Sequence, residues 1–234
     1  MRITIFGANG PTGRLLTQQV LDAGHTAVAV TRRPFDFPIS HPRLEVAGAD
    51  AEDESAVYKV VEGADAVLSS LGTKYTRAPI TLYSRSSVAI VDAMRRHGVR
   101  RLVVVSSSAT VDLPQPRGGF LLNRVIAPVV TATIGKTTYA DMRRMEKIVL
   151  ESGLDWTVLR PSGLFDHPAV TDYELCEDHA PAPFTARADL AASMLRTITD
   201  QGLAGKAVAV STTCIRPNLL ALIGREALTG GQRT

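Results

Sequence analysis

The sequence predicts an α/β fold with a single domain, in which a doubly wound parallel sheet carries helices on both faces. Two observations lead to this prediction. Short β-branched apolar runs alternate along the 234-residue chain with segments of helical periodicity, and neither an internal repeat nor a low-complexity linker interrupts them. In addition, 45% of the residues are hydrophobic and 21% are charged, as is ordinary for a protein with a sizeable core. Alternating strands and helices are joined by right-handed crossovers, which make the sheet parallel.

The order of the predicted elements follows from these apolar patterns. Residues 2–6 are short, β-branched and apolar, as expected for a buried strand, and residues 15–21 place their apolar side chains on one helical face. Further strands are predicted at residues 26–31, 44–47, 64–70, 101–105, 155–159 and 206–211. Further helices are predicted at residues 54–61, 80–97, 139–152, 187–199 and 217–228. Sheets of this kind bind ligands beyond the carboxyl ends of their strands, where the strand order reverses.

A glycine turn with the spacing G-x-x-G-x-x-G separates the first strand from the first helix. A strand, a glycine turn and a helix together direct free backbone N–H groups and the positive end of the helix dipole at a phosphate. A Cβ atom would block both the tight turn and the approach of a pyrophosphate. We therefore predict a dinucleotide site, against the alternative of a plain turn. Its residues are Gly7, Asn9, Gly10, Thr12, Gly13 and Arg14.

Two arginines, Arg32 and Arg33, follow the second predicted strand. A site that prefers NAD(H) places an Asp or Glu at this position, where the carboxylate binds the ribose 2′-hydroxyl. An acidic side chain would repel a 2′-phosphate, whereas a guanidinium binds it through two parallel hydrogen bonds. The predicted cofactor is therefore NADP(H), and the alternative is a solvated basic loop.

The ends of three further strands are predicted to complete the site. Asp50 either accepts a hydrogen bond from the adenine amino group or closes a turn. The glycine in the run 71–73 either allows the backbone to pass close to the nicotinamide ribose or forms a plain turn at the end of the strand. A hydroxyl of the serine run 106–108 reaches the nicotinamide end, although serines also cap turns. The predicted cofactor residues at these ends are Asp50, Leu71, Gly72, Thr73, Ser106 and Ser107.

The charge and cysteine content argue against several classes of partner. The net charge is only +3 and evenly spread, which does not indicate a nucleic-acid-binding protein. Cys176 and Cys214 form no metal-ligand spacing, so we predict no metal site and a reducing compartment. The longest apolar stretch, residues 120–134, is interrupted by polar residues and is too short to span a bilayer. A leader is not expected, because the first strand begins at residue 2. These features predict a cytoplasmic protein.

Several motifs resemble those of the atypical short-chain dehydrogenase/reductases. They are the glycine turn ending in Arg14, the run 71–73, the segment 93–99, and the segment 151–161 preceded by Arg144 and Met145. Within this superfamily the chain resembles the NAD(P)H-binding NmrA-like proteins and the biliverdin reductase B (flavin reductase) group. The resemblance covers residues 1 to about 211 and implies a Rossmann fold.

The resemblance to the flavin reductase group also implies roles for particular residues. Arg32 stands where an arginine of that group binds the 2′-phosphate, and Ser108 matches a serine beside the nicotinamide. Pro161 matches the proline of the sixth strand and is a further predicted cofactor residue. Gly163, however, stands in place of that group's active-site histidine.

A second departure concerns the Tyr-x-x-x-Lys pair of typical short-chain dehydrogenases, in which the lysine lowers the pKa of the tyrosine. Tyr139 is followed by Arg143 at that distance. An arginine stabilises a phenolate by its charge but does not itself exchange protons. Ser108 is therefore the first predicted catalytic residue, and Tyr139 is a weaker candidate acid.

The predicted function is an NADPH-dependent oxidoreductase that reduces a planar small-molecule acceptor such as a flavin or a quinone. Hydride transfer to such an acceptor needs mainly close stacking on the nicotinamide. The alternative is a non-catalytic NADP(H) sensor that acts through a protein partner, as some NmrA-like proteins do.

Two segments, residues 112–136 and 162–184, are predicted as substrate-side insertions in the single domain formed by residues 1–234. The first is expected to form an apolar cover over the site, because it contains more apolar residues than one helical face needs. An amphipathic helix packed on the sheet and a dimer contact are the alternatives.

Overall fold

The computed structural model describes residues 1–74, 76, 78–111 and 135–215. Its strands are β1 Arg2–Phe6, β2 Thr26–Thr31, β3 Leu44–Gly48, β4 Ala66–Ser69, β5 Arg101–Val105, β6 Asp155–Pro161, β7 Gly163–Phe165, β8 Tyr173–Cys176, β9 Phe184–Ala186 and β10 Lys206–Thr212. Its α-helices are α1 Pro11–Asp22, α2 Glu54–Val61, α3 Leu82–His97, α4 Lys136–Leu150 and α5 Arg187–Thr199. Short 3-10 helices occupy Pro34–Asp36, Ser108–Thr110 and Gln201–Leu203.

An eight-stranded sheet with the order β3-β2-β1-β4-β5-β6-β10-β8 forms the centre of the described structure. All neighbouring strands are parallel except β8, which runs antiparallel to β10 at the edge. In the middle, Phe6 of β1 is level with both Val30 of β2 and Ser69 of β4. The strand order therefore reverses beside β1, at the position where doubly wound sheets bind ligands. These features confirm the predicted Rossmann-type α/β fold.

The hydrophobic core consists of two layers, one on each face of the sheet. Successive side chains of a strand point to opposite faces, so Ile3 and Ile5 of β1 join one layer and Phe6 joins the other. Helices α1 and α5 cover the first layer, and α2, α3 and α4 cover the second. Because both faces of the sheet are covered, the central strands are predominantly apolar, and short apolar runs therefore predict them well.

Most predicted elements agree with the described elements to within a few residues, and β1, β2, β5, α2 and α5 have the predicted bounds. Strands β7, β8 and β9 were not predicted. Each contains only three or four residues, which is too short to show a periodic pattern. β7 and β9 form a separate parallel pair, and β8 adds the antiparallel edge. The predicted helix at 217–228 and nearly all of segment 112–136 lie outside the described residues.

The buried carboxylate of Asp141 joins α4 to the beginning of α3. It accepts hydrogen bonds from the backbone N–H of Tyr83 at 2.8 Å and of Ser84 at 3.3 Å, and from the Ser84 hydroxyl at 2.5 Å. The first N–H groups of a helix have no partner within the helix, and the N-cap residue Thr81 makes no side-chain cap here. Asp141 therefore caps α3 from a neighbouring helix, and Arg144 pairs with it at 3.1 Å.

Candidate active site

A cavity of about 1040 Å³ lies at the carboxyl ends of the first six strands. Such a volume matches the large end of the range for small-molecule and cofactor sites. The predicted site residues that line it are Gly7, Asn9, Gly10, Thr12, Arg32, Arg33, Asp50, Leu71, Gly72, Thr73, Ser106, Ser107, Ser108, Tyr139 and Pro161. Two predicted residues, Gly13 and Arg14, are not part of its wall. Strand ends that are far apart in the sequence thus meet at one cavity.

The glycine turn is built from close backbone contacts that exclude side chains. Gly7 has a φ angle of +76°, and a Cβ atom there would lie 2.7 Å from the backbone carbonyl of Ser70. At Gly13 a Cβ atom would lie 2.1 Å from the Gly7 carbonyl oxygen. Gly13 therefore allows α1 to pack directly against the turn, and its contribution to the site is indirect.

Arg14 holds the glycine turn in place from outside the cavity. Its Nε donates to the carbonyl oxygen of Asn9 at 3.1 Å and to the Asn9 Oδ1 at 3.0 Å, and its Nη2 donates to the same Oδ1 at 2.8 Å. These bonds fix both the backbone and the side chain of a cavity residue. Arg14 is thus a positioning residue for Asn9.

The N-terminus of α1 has the chemistry that a pyrophosphate requires. The helix begins with Gly10 as N-cap and Pro11 at its first position, no side chain caps it, and no acidic residue occupies its first turn. The N–H groups of the first turn therefore have neither a helical nor a side-chain cap partner, and the helix dipole adds positive potential. Gly10 and Thr12 line the cavity at this point. The residues present fit the phosphates of a nicotinamide dinucleotide.

The two arginines after β2 have different surroundings, although both are exposed and line the cavity. Arg33 forms an ion pair with Asp36, with 3.7 Å between its Nε and Oδ2. Within the described residues, the Arg32 guanidinium has no ion pair or side-chain hydrogen bond. Arg32 is therefore the better placed of the two to bind a phosphate, in agreement with the order expected from the resemblance.

The strand ends after β3 and β4 contribute one turn and one loop. Asp50 closes a turn, because its Oδ1 accepts a hydrogen bond from the N–H of Glu52 at 3.0 Å. Its position in the wall also leaves the predicted adenine contact open. In the loop after β4, the N–H of Thr73 donates to the hydroxyl of Tyr83 at 3.3 Å. The cap that Asp141 places on α3 therefore also fixes this loop.

The serine turn after β5 rests on a buried ion pair. The Ser106 hydroxyl donates to Glu146 Oε1 at 2.5 Å, and the Thr110 hydroxyl donates to the same oxygen at 2.9 Å. The other oxygen, Oε2, accepts from Arg160 Nη2 at 2.6 Å, and both side chains of this ion pair are at most 13% exposed. Ser107 caps the short helix that begins at Ser108, so Ser106 and Ser107 both make structural hydrogen bonds, and Ser108 stays on the cavity wall.

Arg143, four residues after Tyr139, supports the serine turn. Its Nε donates to the carbonyl oxygen of Thr110 at 2.8 Å, and its Nη2 donates to that of Ala109 at 3.4 Å. Tyr139 itself is 8% exposed and lines the cavity. The Arg143 guanidinium, which replaces the lysine of Tyr-x-x-x-Lys, therefore stabilises the backbone of the serine turn, in addition to any effect on the Tyr139 phenol.

Several cavity and support residues were not among the predicted site residues, and they include Tyr83, Thr138, Glu146 and Arg160. One of them, Glu146, is recognisable in the sequence pattern of α4. Glu146 is a charged residue on the same helical face as the buried Met145 and Val149, where an apolar residue is expected. A charge on an apolar face indicates a buried partner. The partner, Arg160, lies on another element and has no such signal.

Gly163, which stands in place of the flavin reductase histidine, lies against an aromatic ring. A Cβ atom at this position would lie 3.1 Å from Cδ1 of Phe184. Both residues line the cavity, together with Leu164 and Pro183. At this position the wall therefore presents an apolar surface in place of a histidine side chain, and segment 162–184 supplies most of that surface.

Outside the cavity, two ionisable residues of β8 have shifted pKa values. Burial is the main cause that raises the pKa of Tyr173. Burial likewise raises the pKa of the Cys176 thiol, with Glu174 and Asp178 adding to the effect. A thiol with a raised pKa is a poor nucleophile at neutral pH.

Comparison with protein families identifies the chemistry of the cavity. The model of the NAD(P)H-binding family matches residues 7–201, which include the glycine turn and strands β2 to β9. The chain belongs to the NAD(P)H-binding family. This membership confirms the predicted nicotinamide cofactor.

Relatives agree with this assignment. The chain is 26% identical to (4-alkanoyl-5-oxo-2,5-dihydrofuran-3-yl)methyl phosphate reductase of Streptomyces griseus, over 99% of this chain and 71% of that protein. It is 25% identical to an uncharacterised sugar epimerase of Bacillus subtilis, over 88% and 92%. A short-chain dehydrogenase/reductase of Veillonella parvula in complex with NADP has the same fold, with a TM-score of 0.76 and 20% identity over 91% and 95% of the chains.

Some curated relatives are longer than the matched region. The match spans 60% of an uncharacterised chloroplastic protein of Arabidopsis thaliana and 15% of an uncharacterised protein of Mycobacterium tuberculosis. Among the helices that the structure describes, none has the length and apolar character needed to cross a membrane. The described residues also contain no cluster of three His, Cys, Asp or Glu side chains arranged as a metal site.

Proposed function

We propose that the protein is an NADPH-dependent reductase of a planar acceptor, such as a flavin or a quinone. The proposal rests on one observation: the charged side chains around the serine turn already form ion pairs or hydrogen bonds within the protein. Glu146 is paired with Arg160, and Arg143 donates to backbone carbonyls. In the serine turn and the adjoining turn of α4, the wall residues are Ser106, Ser107, Ser108, Ala109, Thr138, Tyr139 and Met142, which present hydroxyl and apolar groups. An acceptor that takes a hydride and collects its proton from solvent suits such a wall, whereas a ketone would leave an alkoxide that needs a strong acid.

The chain's own residues divide the binding task. The glycine turn and the N-terminus of α1 bind the pyrophosphate, and Arg32 binds the 2′-phosphate. Leu71 to Thr73 lie against the nicotinamide ribose, and Ser108 orients the nicotinamide carboxamide or an acceptor oxygen. When bound, the cofactor supplies a hydride with its electron pair. The Veillonella parvula complex with NADP and the Streptomyces griseus reductase support both the cofactor and the reaction type.

Segment 162–184 is assigned to the acceptor side of the cavity. Gly163, Leu164, Pro183 and Phe184 give that side an apolar surface on which a planar ring stacks and from which water is excluded. Segment 112–136 stays a prediction as the cover of the site.

The test is NADPH oxidation with a panel of flavins, quinones, aldehydes and ketones. We expect flavins or quinones to be reduced, with little turnover of simple carbonyl compounds. Ser108→Ala should lower turnover about 10-fold, the effect of one lost hydrogen bond, while NADPH affinity stays within about 2-fold. Ser55→Ala, an exposed serine outside the cavity wall, is the matched control and should change neither.

Two results would contradict the proposal. NADPH binding without reduction of any acceptor would favour the sensor, for which the relatives offer no support. Ketone reduction that Tyr139→Phe abolishes would show that Tyr139 and Arg143 act as the acid pair.

A further inference from the structure

The hydroxyl of Thr138 is buried at the cavity without a hydrogen-bond partner. The residue is 2% exposed and lines the cavity, and its Oγ1 is one of two buried side-chain polar atoms in the described structure with no partner. The other, Gln19 Oε1, belongs to a residue outside the wall, whose amide nitrogen is bonded to Ala188. Buried hydroxyls are normally paired in native proteins, so each exception requires an explanation.

Other buried threonines of this protein satisfy their hydroxyls within the fold. Thr17 Oγ1 donates to the Gly13 carbonyl oxygen at 2.8 Å, and Thr197 Oγ1 donates to that of Met194 at 2.8 Å, both within a helix. Thr157 Oγ1 donates to the Leu203 carbonyl oxygen at 2.7 Å and accepts from Arg101 at 2.8 Å. Thr138 is also helical, yet its hydroxyl makes no such bond. A ligand whose acceptor atom reaches this buried oxygen from the cavity would supply the missing partner.

The position of Thr138 favours the acceptor as that ligand. Thr138 lies in the first turn of α4 beside Tyr139, and both line the cavity with Met142, one turn further along. Apart from Tyr139, none of the predicted site residues lies on α4. The neighbouring Thr137 fixes this turn to the loop after β4, because its hydroxyl donates to the Thr76 carbonyl oxygen at 2.9 Å. The backbone of this turn, which carries Thr138, is therefore held in place before a ligand binds.

We propose that Thr138 donates a hydrogen bond to a carbonyl oxygen of the acceptor, a ring in which that carbonyl is conjugated to the atom that receives the hydride. This inference rests on the proposed function. The C–H bond of the reduced nicotinamide breaks, and a bond between this hydrogen and the acceptor atom forms. The acceptor gains the two electrons of the broken bond, and the nicotinamide, which loses them, is oxidised. The negative charge is delocalised onto the conjugated oxygen, which water later protonates. A preoriented donor stabilises this charge more in the transition state than in the bound acceptor.

Thr138→Val is the decisive variant, because valine keeps the shape and removes the hydroxyl. The ligand-free variant should unfold in urea at the same or a higher concentration than the wild type, since no bond is lost. Thr157→Val is the matched control and should unfold earlier, because the Leu203 carbonyl and Arg101 lose their partner.

The kinetic effect should fall on turnover. With FMN and menadione as acceptors, Thr138→Val should lower kcat about 10- to 100-fold, the range for a hydrogen bond to a charged group, with a smaller change in KM. Thr138→Ser should stay within about 3-fold of the wild type, because it keeps the donor. NADPH affinity, measured by fluorescence titration, should be unchanged. Binding of FMN to the protein saturated with NADP⁺ gives a readout without turnover, and it should weaken in the valine variant only.

Several outcomes separate this inference from the proposed function. A wild type that reduces neither acceptor overturns the proposed function and this inference with it. A wild type that reduces them, with an unaffected valine variant, overturns the inference alone. Earlier unfolding of Thr138→Val would show a structural hydroxyl, and weaker NADPH binding would show a cofactor contact. Either result overturns the acceptor role.

Discussion

Gly10 and Gly13 stand three residues apart in one turn, yet their surroundings differ. A Cβ atom on Gly10 would meet the Gly7 carbonyl oxygen at 3.2 Å, a tight but tolerable contact, and Gly10 lines the cavity. A Cβ atom on Gly13 would lie 2.1 Å from the same oxygen, and Gly13 is not in the wall. At the scale of residues, the same spacing therefore serves ligand access at one position and helix packing at the other.

We expect Gly10→Val to abolish NADPH binding without loss of structure, because its methyl groups would occupy the space of the pyrophosphate. Gly13→Ala should instead lower the urea midpoint of unfolding, because the helix must move away from the turn. Circular dichroism, urea unfolding and nucleotide titration of both variants check this contrast. Normal nucleotide binding by Gly10→Val would show that the turn does not approach a phosphate.

Arg32→Ala should weaken NADPH binding by about 1.5–3 kcal/mol, the contribution of charged hydrogen bonds, and leave NADH binding nearly unchanged. The reason is that only NADPH carries the 2′-phosphate, and that Arg32 has no ion pair within the described residues. Isothermal titration with both nucleotides measures the difference.

Arg33→Ala is the control for this prediction. Arg33 shares the strand end but is paired with Asp36, so its loss should weaken NADPH binding less. Equal loss of affinity for NADPH and NADH in the Arg32 variant, or a wild type that prefers NADH, would contradict the assignment.

At the scale of elements, one buried carboxylate joins α4 to the N-terminus of α3. Asp141 is fully buried and accepts from two backbone N–H groups and a hydroxyl at the start of α3. We expect Asp141→Asn to lower the free energy of unfolding by about 1–2 kcal/mol, as the loss of a helix cap does. The effect should extend to the loop after β4, because Tyr83 accepts from the Thr73 N–H.

Asp92→Asn, in α3, is the matched control for the cap. Asp92 is 59% exposed and pairs with Arg96 at 3.7 Å, and exposed pairs contribute at most about 1 kcal/mol, often nothing measurable. Urea unfolding of both variants gives the comparison. A loss for Asp141→Asn no larger than for Asp92→Asn would show that the buried cap does not stabilise the helix contact.

The strands and helices of this protein were largely predictable, because a sheet buried on both faces leaves apolar runs that stand out from the turns. Its edge was not predictable. Strands β7, β8 and β9 are too short to show a periodic pattern. The antiparallel pairing of β8 with β10 joins segment 162–184 to a later strand, and neither strand indicates this partner by itself.

Within the site, the residues of the strand ends were predictable, because parallel strands end at the same edge. The residues of α4 were harder. Sequence alone does not tell which of the consecutive Thr137 and Thr138 faces the cavity, and the structure turns Thr137 to the loop after β4. The pairing of Glu146 with Arg160 depends on how α4 packs on β6, a contact between elements that neither residue reveals alone.

At the scale of the whole molecule, the cavity joins parts of the chain that are far apart in the sequence. The glycine turn, the loop after β4, the serine turn and segment 162–184 all contribute to one wall. A dinucleotide that spans this wall binds the folded state and not the unfolded chain. Binding should therefore stabilise the entire domain by mass action instead of one loop.

We expect NADPH at 100 times its dissociation constant to raise the free energy of unfolding by about 2.7 kcal/mol. Urea unfolding at several NADPH concentrations measures this increase, and hydrogen exchange should slow together in residues 7–13, 71–73 and 106–110, because they share one ligand. Arg32→Ala at the same NADPH concentration should be stabilised less, since its dissociation constant is larger, and adenosine 2′,5′-bisphosphate should protect residues 7–13 without residues 106–110. Protection by NADPH confined to residues 7–13 would contradict the expectation, because it would mean that the nicotinamide half of the ligand does not reach the serine turn.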